Sequence, residues 1–227
     1  MNWKRNGKGK KYYNDDKLMF EGEYLNGKRW NGMGYNKNGI IDFNIKEGNG
    51  KEKEYNYYDD KLNFEGEYLK GERNGKGKEY YNGKIEFEGE YLNRERNRKG
   101  KEYNNNGKLI FEEEYLNGKR NRKGKEYNYY NFNIIFKGEY LNGKRNRKGK
   151  EYYNDGKLEF EGEYLNGKRR NGKGYNKDGI IDFTINDCNR KGKKYKYDDE
   201  LIYEGEYLNG ERNGKGKEYN ENGEFLF

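Results

Sequence analysis

Lys119-Arg120-Asn121-Arg122-Lys123-Gly124-Lys125 places five positive charges in seven residues with no acid among them, and Lys144-Arg145-Asn146-Arg147-Lys148-Gly149-Lys150 does the same. Arg94-Glu95-Arg96-Asn97-Arg98-Lys99 is nearly as basic. Cations at this density hold carboxylates or phosphates, Arg through a planar fork and Lys as a point charge. Acid–base chemistry has candidates in paired carboxylates such as Glu65 and Glu67. The pair returns in nearly every segment, which reads as a solvated strand face. Such glutamates are expected to pair across strands with lysines like Lys76 and Lys78. Nucleophilic catalysis lacks its parts. The chain has no His and no Ser, so neither a Ser/His nor a Cys/His arrangement can be built around its single thiol, Cys188. A structural zinc site needs about four Cys or His ligands. No catalytic residue, cofactor or metal is expected. Gly75 and Gly77 have the spacing of a phosphate loop, but no helix follows them.

These residues belong to a sentence said many times over. Phe stands at 20, 43, 64, 87, 111, 136, 160 and 183, and Tyr203 heads a further copy. The steps are 23, 21, 23, 24, 25, 24 and 23 residues. A fixed period in this range marks a repeat array whose units pack on their neighbours. We therefore expect one continuous array over residues 1–227, with units near 20, 43, 64, 87, 111, 136, 160, 183 and 203 and a partial unit over 1–19.

Each unit reads as a β-hairpin. Leu62, Phe64, Gly66 and Tyr68 alternate with residues such as Glu65 and Glu67, a period of two that sorts them onto opposite faces. Asn117-Gly118, Asn142-Gly143 and Asn166-Gly167 suit the positive φ of tight hairpin turns. A second strand such as Gly75–Tyr81 follows, and Asn82-Gly83 or its equivalent leads into the next unit. Without crossovers this gives an all-β, elongated, single-layer antiparallel meander. Only 30% of residues are hydrophobic and 40% are charged, so the fold must rest on its 26 Tyr and 11 Phe. Glycines on the aromatic face leave room for rings. Phe64, Tyr68, Phe87, Tyr91, Tyr115, Tyr140, Phe160 and Tyr164 form a stripe, read either as core or as an aromatic groove for a peptide or helix. Glu79 and its counterparts Glu102, Glu126, Glu151 and Glu218 fall on the same face, which implies a rim position or a bulge. The units at Phe43 and Phe183 lack the Gly-Glu-Tyr-Leu segment. They lie 140 residues apart in matching surroundings, as after duplication of a longer block.

Phe-x-Gly-x-Tyr followed by Gly-x-Gly and an aromatic pair, at a step near 23 residues, resembles the MORN repeat. Tyr24, Tyr68, Tyr91, Tyr115, Tyr140, Tyr164 and Tyr207 stand where that pattern often has Trp. The Gly-Lys-Gly-Lys-Glu-Tyr-Tyr-Asn-Gly-Lys wording is similar to the variant in bacterial antitoxin-like repeat proteins. The resemblance implies a non-enzymatic scaffold that binds proteins and attaches at membranes or the cytoskeleton. It also implies, as the alternative, an antitoxin-like protein that neutralises a toxin.

The basic turns fall on one edge of the meander, about 10 Å apart from unit to unit. Arg96, Arg98, Lys99, Lys119, Arg120, Arg122, Lys123, Lys144, Arg145, Arg147 and Lys148 are the candidate ridge for an anionic partner, read alternatively as a solubilising edge that keeps one sheet from pairing with another. The net charge of +8 favours such a partner. A protein partner is expected first and an anionic phospholipid second. Nucleic acid is not expected, because the rings lie away from the cations and stacking needs both in one groove. Open terminal strands predict self-association. With no apolar stretch of membrane-helix length, the expected location is the cytoplasm, with peripheral attachment to membrane or cytoskeleton.

Overall fold

The computed structural model describes residues 4–186, 189–195, 201–208, 211–220 and 223–226, so Cys188 lies outside the described residues. The chain divides into two compact units, Met1–Lys119 and Arg120–Phe227. The first unit holds β1 (Gly7–Tyr12), β2 (Leu18–Leu25), β3 (Lys28–Tyr35), β4 (Ile41–Lys46), β5 (Asn49–Tyr55), β6 (Leu62–Leu69), β7 (Glu72–Tyr81), β8 (Lys84–Leu92), β9 (Glu95–Tyr103) and β10 (Leu109–Leu116). The second holds β11 (Lys119–Tyr127), β12 (Ile134–Leu141), β13 (Lys144–Tyr152), β14 (Leu158–Leu165), β15 (Lys168–Tyr175), β16 (Ile181–Asn186), β17 (Asn189–Tyr195), β18 (Leu201–Leu208) and β19 (Glu211–Glu218). Within each unit every strand pairs antiparallel with the next in sequence, the all-β meander of hairpins that the alternation predicts.

The register sets glycine against glycine. Gly66 faces Gly77, Gly77 faces Gly89 and Gly89 faces Gly100 in the first unit, and Gly138–Gly149–Gly162 repeats the row in the second. The bare backbone is the seat of the phenylalanines. A Cβ on Gly77 would stand 2.5 Å from the Phe64 ring, and one on Gly100 2.4 Å from Phe87. Phe20, Phe64, Phe87, Phe111, Phe136 and Phe160 are fully buried there. The next unit's tyrosine closes the side of the seat edge-on: Tyr91 meets Phe64 at 5.1 Å and 83°, and Tyr164 meets Phe136 at 5.2 Å and 87°. Such ring pairs are worth about 0.5–1.5 kcal/mol beyond the area they bury.

The Asn-Gly turns take the predicted conformation, with φ of 49° and 76° at Asn117 and Gly118 and 52° and 83° at Asn142 and Gly143. Their backbones also stack from hairpin to hairpin. Gly118 N–H donates to the Arg96 carbonyl at 2.9 Å, and Gly167 N–H donates to that of Arg145 at 2.8 Å. At the short units the aromatic packing changes. Between β4 and β5 only two residue pairs form. Phe43 stacks nearly parallel on Phe20 (17°) and Phe183 on Phe160 (18°), so the duplication legible in sequence returns as the same ring geometry.

Gly77→Ala is expected to cost about 2–3 kcal/mol, because its methyl group must displace a fully buried ring. Gly118→Asn, in an open turn at positive φ, is expected to stay within about 0.5 kcal/mol. Urea denaturation of the two variants checks both.

Candidate functional site

The glutamates that did not fit the alternation turn out to organise the aromatic face. Glu79 pairs with Phe87 and remains on that face, and the bulge comes directly after it, between Glu79 and Tyr80. Its carboxylate accepts from the Tyr91 hydroxyl (2.8 Å) and from Nε of Arg96 (3.3 Å), and it pairs closely with the other arm of that guanidinium. The Arg96 guanidinium lies over the Phe87 ring, 4.1 Å from its centroid. Glu54, Tyr68, Arg73 and Phe64 repeat the group, with Arg73 on Glu54 at 2.6 and 3.0 Å. In the second unit Glu126 accepts from Tyr140 (2.7 Å) and Arg145 (2.6 Å), and Arg145 covers Phe136 at 4.2 Å. Arg145 reaches onward to Glu151 at 2.8 Å, which links one clamp to the next.

Burial alone would raise the carboxyls of Glu54, Glu79 and Glu126; the arginine and tyrosine hydrogen bonds outweigh it and hold all three below the ordinary value. Burial and the adjacent carboxylates push the hydroxyls of Tyr68, Tyr91 and Tyr140 well up, so they remain donors. Glu52 behaves oppositely. It takes the place of a seat glycine opposite Gly66, only 6% exposed, and burial raises its carboxyl to about 7 against the pull of Arg29 at 3.3 Å.

The predicted ridge therefore divides. Arg96, Arg120 and Arg145 are not turn cations offered to a partner. They are half-buried and engaged with glutamates, Arg120 with Glu126 at 3.6 Å. Lys119, Arg122, Lys123, Lys144 and Lys148 are exposed, as predicted. Arg98 and Arg147 are wide open, with side chains 80% and 79% accessible and only distant carboxylates, Glu90 at 3.7 Å and Glu139 at 3.8 Å. The aromatic groove does not exist as an opening. Phe64, Phe87 and Phe160 are fully buried, and Tyr68, Tyr91, Tyr115, Tyr140 and Tyr164 are 2–8% exposed, because arginines and neighbouring tyrosines cover every ring. The stripe is core.

A real groove lies on the opposite face of the first unit. It has a volume of about 940 Å³ and is lined by Glu65, Glu67, Lys76, Lys78, Glu88, Glu90, Lys99, Lys101 and their neighbours. Register puts Lys78 against Glu65 and Glu88, and Lys101 against Glu88. Among the described residues the ammonium groups of Lys76, Lys78, Lys99 and Lys101 have no carboxylate in ion-pair range, whereas the expected cross-strand pairing does form at Lys10–Glu21 (3.0 Å) and Lys150–Glu161 (2.9 Å). The glutamates turn elsewhere: Glu65 and Glu88 accept from the Tyr80 and Tyr103 hydroxyls, both at 2.6 Å, and Glu67 accepts from the Lys76 backbone N–H at 2.9 Å. The bulge after Glu79 brings Tyr80 to this face, where it donates to Glu65; in the second unit Glu161 takes both Tyr175 (2.7 Å) and Lys150 (2.9 Å), so such a tyrosine does not by itself free the lysine. Sequence alternation located the residues but missed the tyrosines that occupy the acids. Among the described residues no cluster of His, Cys, Asp and Glu is placed to hold a metal ion, and no helix is long and apolar enough to cross a membrane.

The family model described as MORN repeat matches residues 64–84, 136–157 and 203–225. No curated protein matches the chain. Among solved structures it is similar to a crystal structure of TcdB2-TccC3-Cdc42, at 12% identity and a TM-score of 0.18 over 92% of this chain and 13% of that one. It is also similar to the Photorhabdus luminescens Tc holotoxin pore carrying a TccC3 mutation, at 11% identity and a TM-score of 0.20 over the same shares. The chain thus spans about 13% of the length of these two chains.

Arg98, Arg122 and Arg147 have φ of 57°, 59° and 58°, at the place where Gly75 and Gly214 stand in other repeats with φ of 92° and 79°. A left-handed residue with a Cβ is strained by about 1–2 kcal/mol, so folding alone favours glycine here. Arg98→Gly and Arg147→Gly are each expected to leave the protein as stable or more stable by about 1 kcal/mol, read from the urea midpoint. The pH dependence has two opposite parts. Stability from Glu54, Glu79 and Glu126 is present above the unfolded carboxyl value and is lost as pH falls through their lowered native values. Glu52 retains in the native state a proton that the unfolded chain releases, so its part falls as pH rises from about 4.5 to about 7. Glu52→Gln should therefore gain on the wild type between pH 5 and pH 8, by at most about 3 kcal/mol, in denaturation at the two pH values.

Proposed function

The chain is built of MORN repeats, and on that premise we propose that it is a non-catalytic scaffold that binds a partner protein along the charged groove of its first unit. One observation carries the reading: Lys76, Lys78, Lys99 and Lys101 line a groove of about 940 Å³ without an ion-pair partner, between rows of glutamates. A lining of both signs suits a polypeptide segment that carries acids and bases in turn. A uniformly anionic bilayer would meet the glutamates as well as the lysines, and it is the less favoured partner. Nucleic acid is disfavoured because the rings that would stack on bases are buried. The strained arginines add long-range attraction for an acidic partner. The scaffold would act in the cytoplasm, peripheral to whatever structure its partner belongs to.

The test is affinity capture from the proteome of the source cells, with wild type beside a variant carrying Lys78→Glu and Lys101→Glu. Liposomes of neutral and anionic composition run in parallel at about 0.15 M salt. The reading expects a partner retained by the wild type, lost by the groove variant, and no liposome binding. Binding to anionic liposomes that disappears on changing Arg98, Arg122 and Arg147 to Gly, with no protein partner, would replace it with a membrane role.

A further inference from the structure

At each regular junction of the first unit a glutamate one strand back closes the clamp: Glu54 for Tyr68, Glu79 for Tyr91 and Glu102 for Tyr115. Tyr24 is the exception. Register sets Lys11 opposite Phe20 and Gly9 opposite Gly22, as it sets Glu79 opposite Phe87 and Gly77 opposite Gly89. Lys11 thus stands where the clamp glutamate belongs. The Tyr24 hydroxyl is left buried without a hydrogen-bond partner, on a residue only 7% exposed. An unpaired hydroxyl in that position is costly to keep.

Cations gather around the gap. Arg5 lies over the Tyr24 ring, 5.8 Å from its centroid. Arg29 covers Phe20 at 4.8 Å, as other clamp arginines cover their phenylalanines. It has no clamp glutamate to hold and turns to Glu52 (3.3 Å) and the Lys53 carbonyl (3.1 Å). Burial first, then the charges of Arg29 and Arg5, hold the Lys11 ammonium below its ordinary value, with Glu54 and Asp60 offsetting this only in part. Arg5 over the Tyr24 ring, Arg29 over Phe20, Lys11 opposite Phe20 and an unpaired tyrosine hydroxyl thus share a junction that lacks the clamp glutamate of the other regular junctions of this unit.

We propose that this junction is a binding site for an external oxyanion, a carboxylate or a phosphate group, received by the Tyr24 hydroxyl, Lys11 and Arg5 with Arg29 behind them. The class of ligand follows from the repeat itself, since the same tyrosine and arginine donors grip a carboxylate elsewhere. The proposal is independent of the groove, which lies on the other face.

The experiment is thermal unfolding of the full chain with sodium acetate or sodium phosphate replacing chloride at fixed ionic strength. A titration followed by NMR of backbone amides runs beside it. The wild type is expected to be stabilised saturably by one of the two probes, with shifts centred on Lys11 and Tyr24. Whichever probe saturates at the lower concentration identifies carboxylate or phosphate as the source. Lys11→Glu restores the internal anion and is expected to raise Tm in chloride and abolish the response. Tyr24→Phe is expected to weaken the response at least tenfold. A wild type indifferent to both anions, a Lys11→Glu variant that still responds, or a Tyr24→Phe variant of wild-type affinity would overturn the proposal.

Discussion

A phenylalanine ring lying flat on bare backbone is the contact around which this protein is arranged. A sheet with so few aliphatic residues has no second layer to bury its apolar side, so each ring must find cover within its own face. Paired glycines make the floor, the next repeat's tyrosine makes a wall, and an arginine makes the roof. The arginine brings a half-buried charge, and the misplaced glutamate is there to meet it. Glycine row, Tyr, Arg and Glu are thus one solution to one problem, which is why they recur together.

The same economy explains where function can reside. Because most of the aromatic face is sealed by its own charges, what stays open is the opposite face and any junction where a member of the clamp is missing. The bulges that follow Glu79 and Glu102 place Tyr80 and Tyr103 on the groove face, where their hydroxyls donate to Glu65 and Glu88. Lys78 and Lys101, opposite these glutamates, have no carboxylate in ion-pair range among the described residues, whereas Lys150 keeps Glu161 at 2.9 Å.

Much of this was legible in the residues. The period of about 23, the Phe/Gly/Tyr alternation and the Asn-Gly turns specify the meander and its registers, because each is a local rule of strands and turns. The site was legible only in part. Arg96 and Arg98 sit two residues apart in one basic run, yet one is roof and the other is solvent-exposed. Charge counting cannot separate them; the fate of each depends on a partner some seventeen residues earlier or on a left-handed backbone angle. The aromatic groove failed for a related reason. Alternation tells which face a ring takes but not what will cover it.

The clamp also gives each repeat a direction. The glutamate presented by one hairpin is closed by the arginine and tyrosine of the following one, so a repeat has a socket on one side and a plug on the other. Repeats can therefore be joined in one order only, and the regular junctions made in that order are chemically alike. Gain or loss of whole repeats by copying errors leaves such junctions intact. Length then becomes the easiest property of the array for evolution to alter, and a single charge at a junction the easiest way to make one position unlike the rest.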